Sequence, residues 1–202
     1  MDGPGWLRRQ ARSCGLAALL VVPPGCRGQT DQVAAPRFQL YREALARTAP
    51  AAIQLLCPGA EGEQAALARF REFYEVYSAE RIRAGVRALY APDAYFGDPF
   101  KSVQGLDAIE RYFLKMAEPI QECTFAIDRC DGAGGEYYCT WEMHLLSRAA
   151  PRKPVRVLGI SHVRFSTDGQ VVFQQDYWDT GAVLDVLPVV GRLTRHVKRR
   201  LQ

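Results

Sequence analysis

Tyr90-Ala-Pro-Asp-Ala-Tyr-Phe-Gly-Asp98-Pro99-Phe-Lys-Ser-Val-Gln-Gly105 is the stretch whose reading decides the fold. A helical pattern ends at Tyr90, and Ala91-Pro92-Asp93 turns the chain, because the residue before a proline is pushed out of the helical region. Ala94 to Asp98 reads as a short strand, stopped at Pro99 by the loss of the next backbone donor. Gly105 opens a further helix. A carboxylate, Asp98, is thereby placed at the end of a strand lying between two amphipathic helices. Asp-Pro also has a plain use, in which the Asp caps its own turn. Two readings stand here: a turn cap, or a carboxylate at the mouth or floor of a cavity that the helices cover.

On the N-terminal side, Leu67, Phe70, Tyr74 and Tyr77 recur at helical spacing, with Phe73 beside them. Ser78 is placed to cap a second helix whose inner stripe is Ile82, Val86 and Leu89. On the C-terminal side, Leu106 to about Ala117 carries Ile109, Tyr112, Phe113 and Met116 on one side, and Pro119 ends it. The period then changes to two. Thr124 to Cys130 reads as a strand, and Asp131 to Gly135 as a hairpin loop. Tyr137, Cys139, Trp141, Met143 and Leu145 alternate with Tyr138, Thr140, Glu142 and His144. Val155 to Ser166 and Val171 to Asp179 complete the set, joined by a turn at Asp168-Gly169. The pattern predicts an α+β cone over residues 63–180, with three helices packed on one face of a curved antiparallel sheet that encloses a pocket.

The ends of the chain are read differently. Residues 1–62 form a leader and a helical linker, the linker running from Pro36 to Cys57 and ending at Pro58-Gly59. Within the leader, Arg8, Arg9 and Arg12 precede the apolar run Leu16 to Val22 and then Gly25-Cys26. That order resembles a bacterial lipoprotein signal with a lipid anchor on Cys26; the alternatives are a disordered leader on a cytoplasmic protein, or a start codon assigned too far upstream. The run is too short to span a bilayer. Residues 181–202 read as a basic amphipathic helix, with Val190, Leu193, Val197 and Leu201 apolar.

Composition narrows the functional classes. A chain of 202 residues that is 48% hydrophobic and 24% charged is that of a soluble globular protein. The net charge of +4 is concentrated at the two ends, so no nucleic-acid footprint crosses the folded part. The six cysteines form no CxxC pair, and the scattered histidines form no HExxH, which argues against a metal site. Cys123, Cys130 and Cys139 fall in strand-like runs and read as free, buried thiols. Leu158 and Ile160 share the outer sheet face with His162. That face is expected to meet a second copy in a homodimer, or the C-terminal helix.

The order helix, helix, short strand ending Asp98-Pro99, helix and four strands resembles the nuclear transport factor 2-like superfamily, with its cystatin-like fold. Leu89-Tyr90-Ala91-Pro92-Asp93-Ala94, Gly105, Ile109 and Phe113 are similar to its SnoaL-like and ketosteroid isomerase-like members. Ketosteroid isomerases use an Asp base with a Tyr and a protonated Asp as oxyanion hole. The resemblance implies Asp98 as base and Tyr74 as hydrogen-bond donor, and it puts Ser161 where the second acid would stand. The Asp-Arg-Asp set of limonene epoxide hydrolases is absent, since Gly159 and Ser161 occupy its region.

By strand alternation Asp176 shares a face with Gln174 and Trp178, which makes it the candidate second acid–base group, or else the partner of a core Arg or a cap of the sheet end. Tyr95, Phe113, Trp141, Ser161, Val163, Gln174 and Trp178 are the expected ligand-binding residues. The function expected is isomerase, cyclase or dehydratase chemistry on a small hydrophobic carbonyl compound, without cofactor or metal. The alternative is a module that binds a hydrophobic ligand or a protein partner.

Overall fold

A computed structural model describes residues 27–186 together with Gly191, His196, Arg199 and Arg200, with side chains from Pro36 onward. The basic leader, Cys26 and most of the basic C-terminal segment lie outside the described residues.

Helix α1 spans Arg27–Arg47. Helix α2 (Glu63–Glu75) buries Ala66, Leu67, Phe70, Phe73 and Tyr74, the stripe its spacing predicts. Ser78 caps α3 (Ala79–Leu89), its hydroxyl oxygen accepting from the N–H of Arg81 at 3.2 Å. Gly85 lets the two helices close on each other, since a Cβ there would stand 3.0 Å from the Phe73 ring. Strand β1 (Tyr90–Gly97) follows without a loop, and the three-residue β2 (Ser102–Gln104) folds back on it. Helix α4 (Leu106–Ala117) buries Ile109, Tyr112 and Phe113. The long strands β3 (Ile120–Ala133), β4 (Glu136–Ser147), β5 (Val155–Phe165) and β6 (Val171–Trp178) complete the sheet, and α5 (Thr180–Val186) follows.

The sheet order is β2-β1-β6-β5-β4-β3. The last four strands pair antiparallel as expected, but β1 lies parallel to β6. α2, α3 and α4 cover the inner face, where Phe70, Ile82, Phe113, Tyr137 and Phe165 form the main core. α5 turns back over the far end, where Ala182 and Val183 pack near Met143, Leu145 and Val157.

Two expectations about the β3–β4 hairpin need correction. The β3–β4 hairpin turns on Gly134 and Gly135 alone, with φ of 58° and 85°, rather than on a five-residue loop. Two successive left-handed residues make the tight turn that twisted strands favour, and glycine adopts it without steric cost. This register puts Cys130 directly opposite Cys139, and the two form a disulfide instead of being free thiols. Cys123 is free and buried, and its burial pushes the thiol up to about 12.

Residues 37–56, placed outside the cone by sequence, pack against it. Leu40, Tyr41, Ala44 and Leu45 lie on Tyr95 and Phe173 at the outer face. Arg164 donates to Leu45 O at 2.7 Å and Thr48 Oγ1 at 2.8 Å, and grips both carboxylate oxygens of Glu136. His162, expected at the surface of this face, is buried there, stacked on Tyr138 and bonded to Glu136. Among the described residues no helix is long and apolar enough to cross a membrane.

Candidate active site

Inside the cone is a cavity of ≈ 240 Å³, walled by α2, α4, the end of β1, the inner faces of β3, β4 and β6, and Val183 of α5. Its lining is apolar and aromatic, with Phe96, Phe113, Phe125, Trp141 and Trp178 prominent. Phe100 stands at the opening, edge-on to Trp178 with ring centroids 5.2 Å apart. Two carboxyl groups, Asp98 and Asp176, line the same cavity together with Tyr74.

Strand β1 delivers Asp98 to the wall, and the Pro99 turn holds it. Its Oδ1 accepts from the N–H groups of Phe100 and Lys101, both at 2.8 Å, and Oδ2 accepts from the Tyr112 hydroxyl at 2.7 Å. Asp98 is thus both a turn cap and a cavity residue, so the two sequence readings merge. Burial and the adjacent Asp98 carboxylate hold the Tyr112 hydroxyl well above the ordinary phenol range, and its proton stays on the bond to Asp98.

Asp176 is set differently. It lies on the inward face of β6, and its Oδ1 accepts from Ser161 Oγ at 2.7 Å and from Gln174 Nε2 at 2.9 Å. No hydrogen bond reaches Oδ2 from the described residues. Burial pushes the carboxyl up to about 7; the bonds from Ser161 and Gln174 oppose the rise, and Asp98 adds a smaller push. The two carboxyls therefore have separate hydrogen-bond sets.

Tyr74 belongs to a closed ring. Its hydroxyl lies 2.6 Å from that of Tyr90, which donates to Gln174 Oε1 at 2.6 Å, and Gln174 Nε2 returns to the Tyr74 oxygen at 3.1 Å. Tyr77 donates to Phe113 O at 3.2 Å. The hydroxyl protons of Tyr74, Tyr77, Tyr112 and Ser161 are all committed within the protein. Among the carboxylate oxygens of Asp98 and Asp176, Oδ2 of Asp176 is the one to which no hydrogen bond from the described residues is directed.

Of the expected ligand residues, Phe113, Trp141 and Trp178 line the main cavity, and Ser161 and Gln174 line a small extension of it beside Asp176. Val163 points inward but is consumed in the core with Tyr137 and Phe165. Tyr95 is a correction. It faces outward beneath α1, stacked on Phe173 with its hydroxyl on Ser102 and Gln175, because alternation from Phe96 reverses its direction. Sequence reasoning missed the parts played by Tyr90 and Tyr112, although Tyr112 stands on the apolar stripe of its helix.

Residues 70–174 match the SnoaL-like domain, more than half of the chain. The chain belongs to the SnoaL-like domain family. A hypothetical protein with a ketosteroid isomerase-like fold from Catenulispora acidiphila DSM 44928, solved with trimethylamine, superposes with a TM-score of 0.53 at 17% identity, covering 66% of this chain and 96% of its own. A candidate SnoaL-like polyketide cyclase from Jannaschia sp. CCS1 gives 0.54 at 12% identity, covering 64% and 96%. A candidate isomerase from Bacillus subtilis gives 0.52 at 19% identity, covering 63% and 95%. At these identities the likeness is one of fold. No curated protein matches the sequence. About a third of this SnoaL-like chain has no counterpart in these structures.

Proposed function

We propose that the cavity performs acid–base chemistry of isomerase or cyclase type on a small hydrophobic carbonyl compound, with Asp176 as the group that takes and returns the proton. The observation that carries this reading is the uncommitted Oδ2 of a buried Asp in an apolar, aromatic-walled cavity. A carboxyl held near pH 7 populates both forms at neutral pH, where general acid–base catalysis is most effective. Ionised Oδ2 removes a proton from the carbon beside the carbonyl, and the C–H electron pair moves into the enolate. The acid form then returns the proton at another atom of the same conjugated system, so nothing is gained or lost overall.

Asp98, with Oδ1 filled by two backbone donors and Oδ2 engaged by the Tyr112 hydroxyl, fixes Tyr112 and the mouth instead of serving as base. Tyr74 anchors Gln174 instead of donating to the ligand. Benzene occupies an apolar cavity of about 150 Å³, so ≈ 240 Å³ suits a ligand of about ten non-hydrogen atoms. A second copy on the outer sheet face completes the proposal.

The test is deuterium exchange into the carbon next to the carbonyl of 2-tetralone, followed by proton NMR in D2O. The protein is expected to accelerate exchange, and Asp176→Asn to return it to the background rate. Exchange that survives Asp176→Asn overturns the assignment. Binding of 2-tetralone without exchange shows a binding module instead.

A further inference from the structure

Asp176 owes its orientation to two donors that are themselves held by donors. Trp141 Nε1–H can only donate, and it donates to Ser161 Oγ at 2.9 Å. With that lone pair occupied, the Ser161 proton is directed to Asp176 Oδ1. Gly159 makes the approach feasible: it pairs with Trp141 across β4 and β5, and a Cβ there would lie 2.2 Å from the indole. The second arm runs through Gln174. Tyr90 donates to its Oε1, which turns its Nε2–H toward the same Oδ1. Both arms deliver hydrogen to one oxygen of Asp176 and leave that oxygen no room for a proton of its own.

We infer that Trp141 and Tyr90 are positioning residues that lock the acid proton of Asp176 onto Oδ2, the oxygen left to the cavity. This rests on the acid–base reading of the cavity, and it adds the device that aims the acid. A carboxyl flanked by groups able to rotate would carry its proton on either oxygen, and a proton on Oδ1 would be turned away from any ligand. The groups that face Asp176 are Tyr74 from α2, Tyr90 from β1, Asp98 from the turn after β1, and Tyr112 from α4. Burial holds these three tyrosines protonated far above neutrality, so Asp98 is the other carboxyl in the set.

The experiment is a double-mutant cycle read by carboxyl-carbon NMR titration of Asp176 in the full chain. Ser161→Ala removes the donated bond and is expected to raise the titration midpoint by about one pH unit, the scale of one hydrogen bond to a charged group. Trp141→Phe frees the Ser161 oxygen to accept from protonated Asp176, and is expected to raise the midpoint by about half that. In the Ser161→Ala background Trp141→Phe is expected to add nothing, because its route is gone. Tyr90→Phe, which frees the Gln174 amide to turn over, provides a second arm and should lose its effect on the midpoint in Gln174→Leu.

A shift that persists unchanged in the Ser161→Ala or Gln174→Leu background, or the absence of any shift, overturns the inference. The readout needs no substrate. A failed cycle with intact 2-tetralone exchange rejects the positioning alone, and an intact cycle without exchange rejects the reaction alone.

Discussion

A carboxyl walled by aromatic side chains takes the form that costs least to desolvate, and for Asp176 the balance falls at about 7 instead of 3.8. The folded protein therefore holds a proton that the unfolded chain releases between those two values. Stability from this group is fully present below about pH 4 and is lost as pH rises through 7, because the native state binds more protons. A shift of that size corresponds to on the order of 4 kcal/mol at alkaline pH. Asp176→Asn, which keeps an acceptor for Ser161 and Gln174, is expected to melt several degrees higher than the parent at pH 8 and close to it at pH 4. Equal melting at both values would show that Asp176 titrates normally. The place of Asp176 was legible, since alternation ties it to Gln174 and Trp178. Its partners were not. The Trp141–Ser161 contact depends on which neighbour lacks a Cβ, and Gly159 acquires that meaning only once β4 and β5 are in register.

The elements followed the periodicities closely where one face meets a core, as in α2, α3 and α4. Reading failed where register or docking decides. The β3–β4 pairing hangs on which two glycines of Gly132-Ala133-Gly134-Gly135 make the turn, and the disulfide follows from that choice. Helix α1 was invisible as part of the fold because it covers one corner of the sheet with a narrow apolar strip and is otherwise held by polar contacts. Arg164 carries those contacts, bonded to Glu136, to Leu45 O and to Thr48, with its guanidinium over Phe173 at 5.1 Å. Arg164→Met leaves these acceptors unpaired and is expected to cost about 2–3 kcal/mol in chemical denaturation, below the roughly 3–5 kcal/mol of a fully buried broken pair because Glu136 keeps some contact with water. Arg156→Met, at the exposed pair with Glu142, should change the midpoint little. Equal effects from the two would mean that α1 is not anchored through Arg164. A chain beginning at Gly59 is accordingly expected to keep the cone but to unfold at lower denaturant, with Tyr95 and Phe173 uncovered.

On the scale of the molecule, one side of the sheet closes on a cavity, and the described residues cover the other only in part. Helix α1 takes the corner at Tyr95 and Phe173. Beyond it, three neighbouring strands present Tyr138, Leu158, Ile160 and Tyr177 on the same outward face, with Leu158 74% exposed. Ile160 sits between Thr140 and Tyr177 in register, so the patch is contiguous. An antiparallel sheet normally turns polar residues to water, and apolar ones in their place mark a surface that meets something. A second copy is the occupant proposed, because a face that offers both tyrosine edges and aliphatic side chains can complement itself about a two-fold axis. Light scattering at about 20 µM, a concentration that populates interfaces of micromolar affinity, is expected to give twice the mass of the 22.6 kDa chain. Leu158→Glu would place like charges across the axis and is expected to return the protein to monomer while leaving 2-tetralone exchange intact, since Leu158 faces away from the cavity. A monomeric parent sinks the dimer. A parent dimer that Leu158→Glu leaves whole moves the interface to another surface.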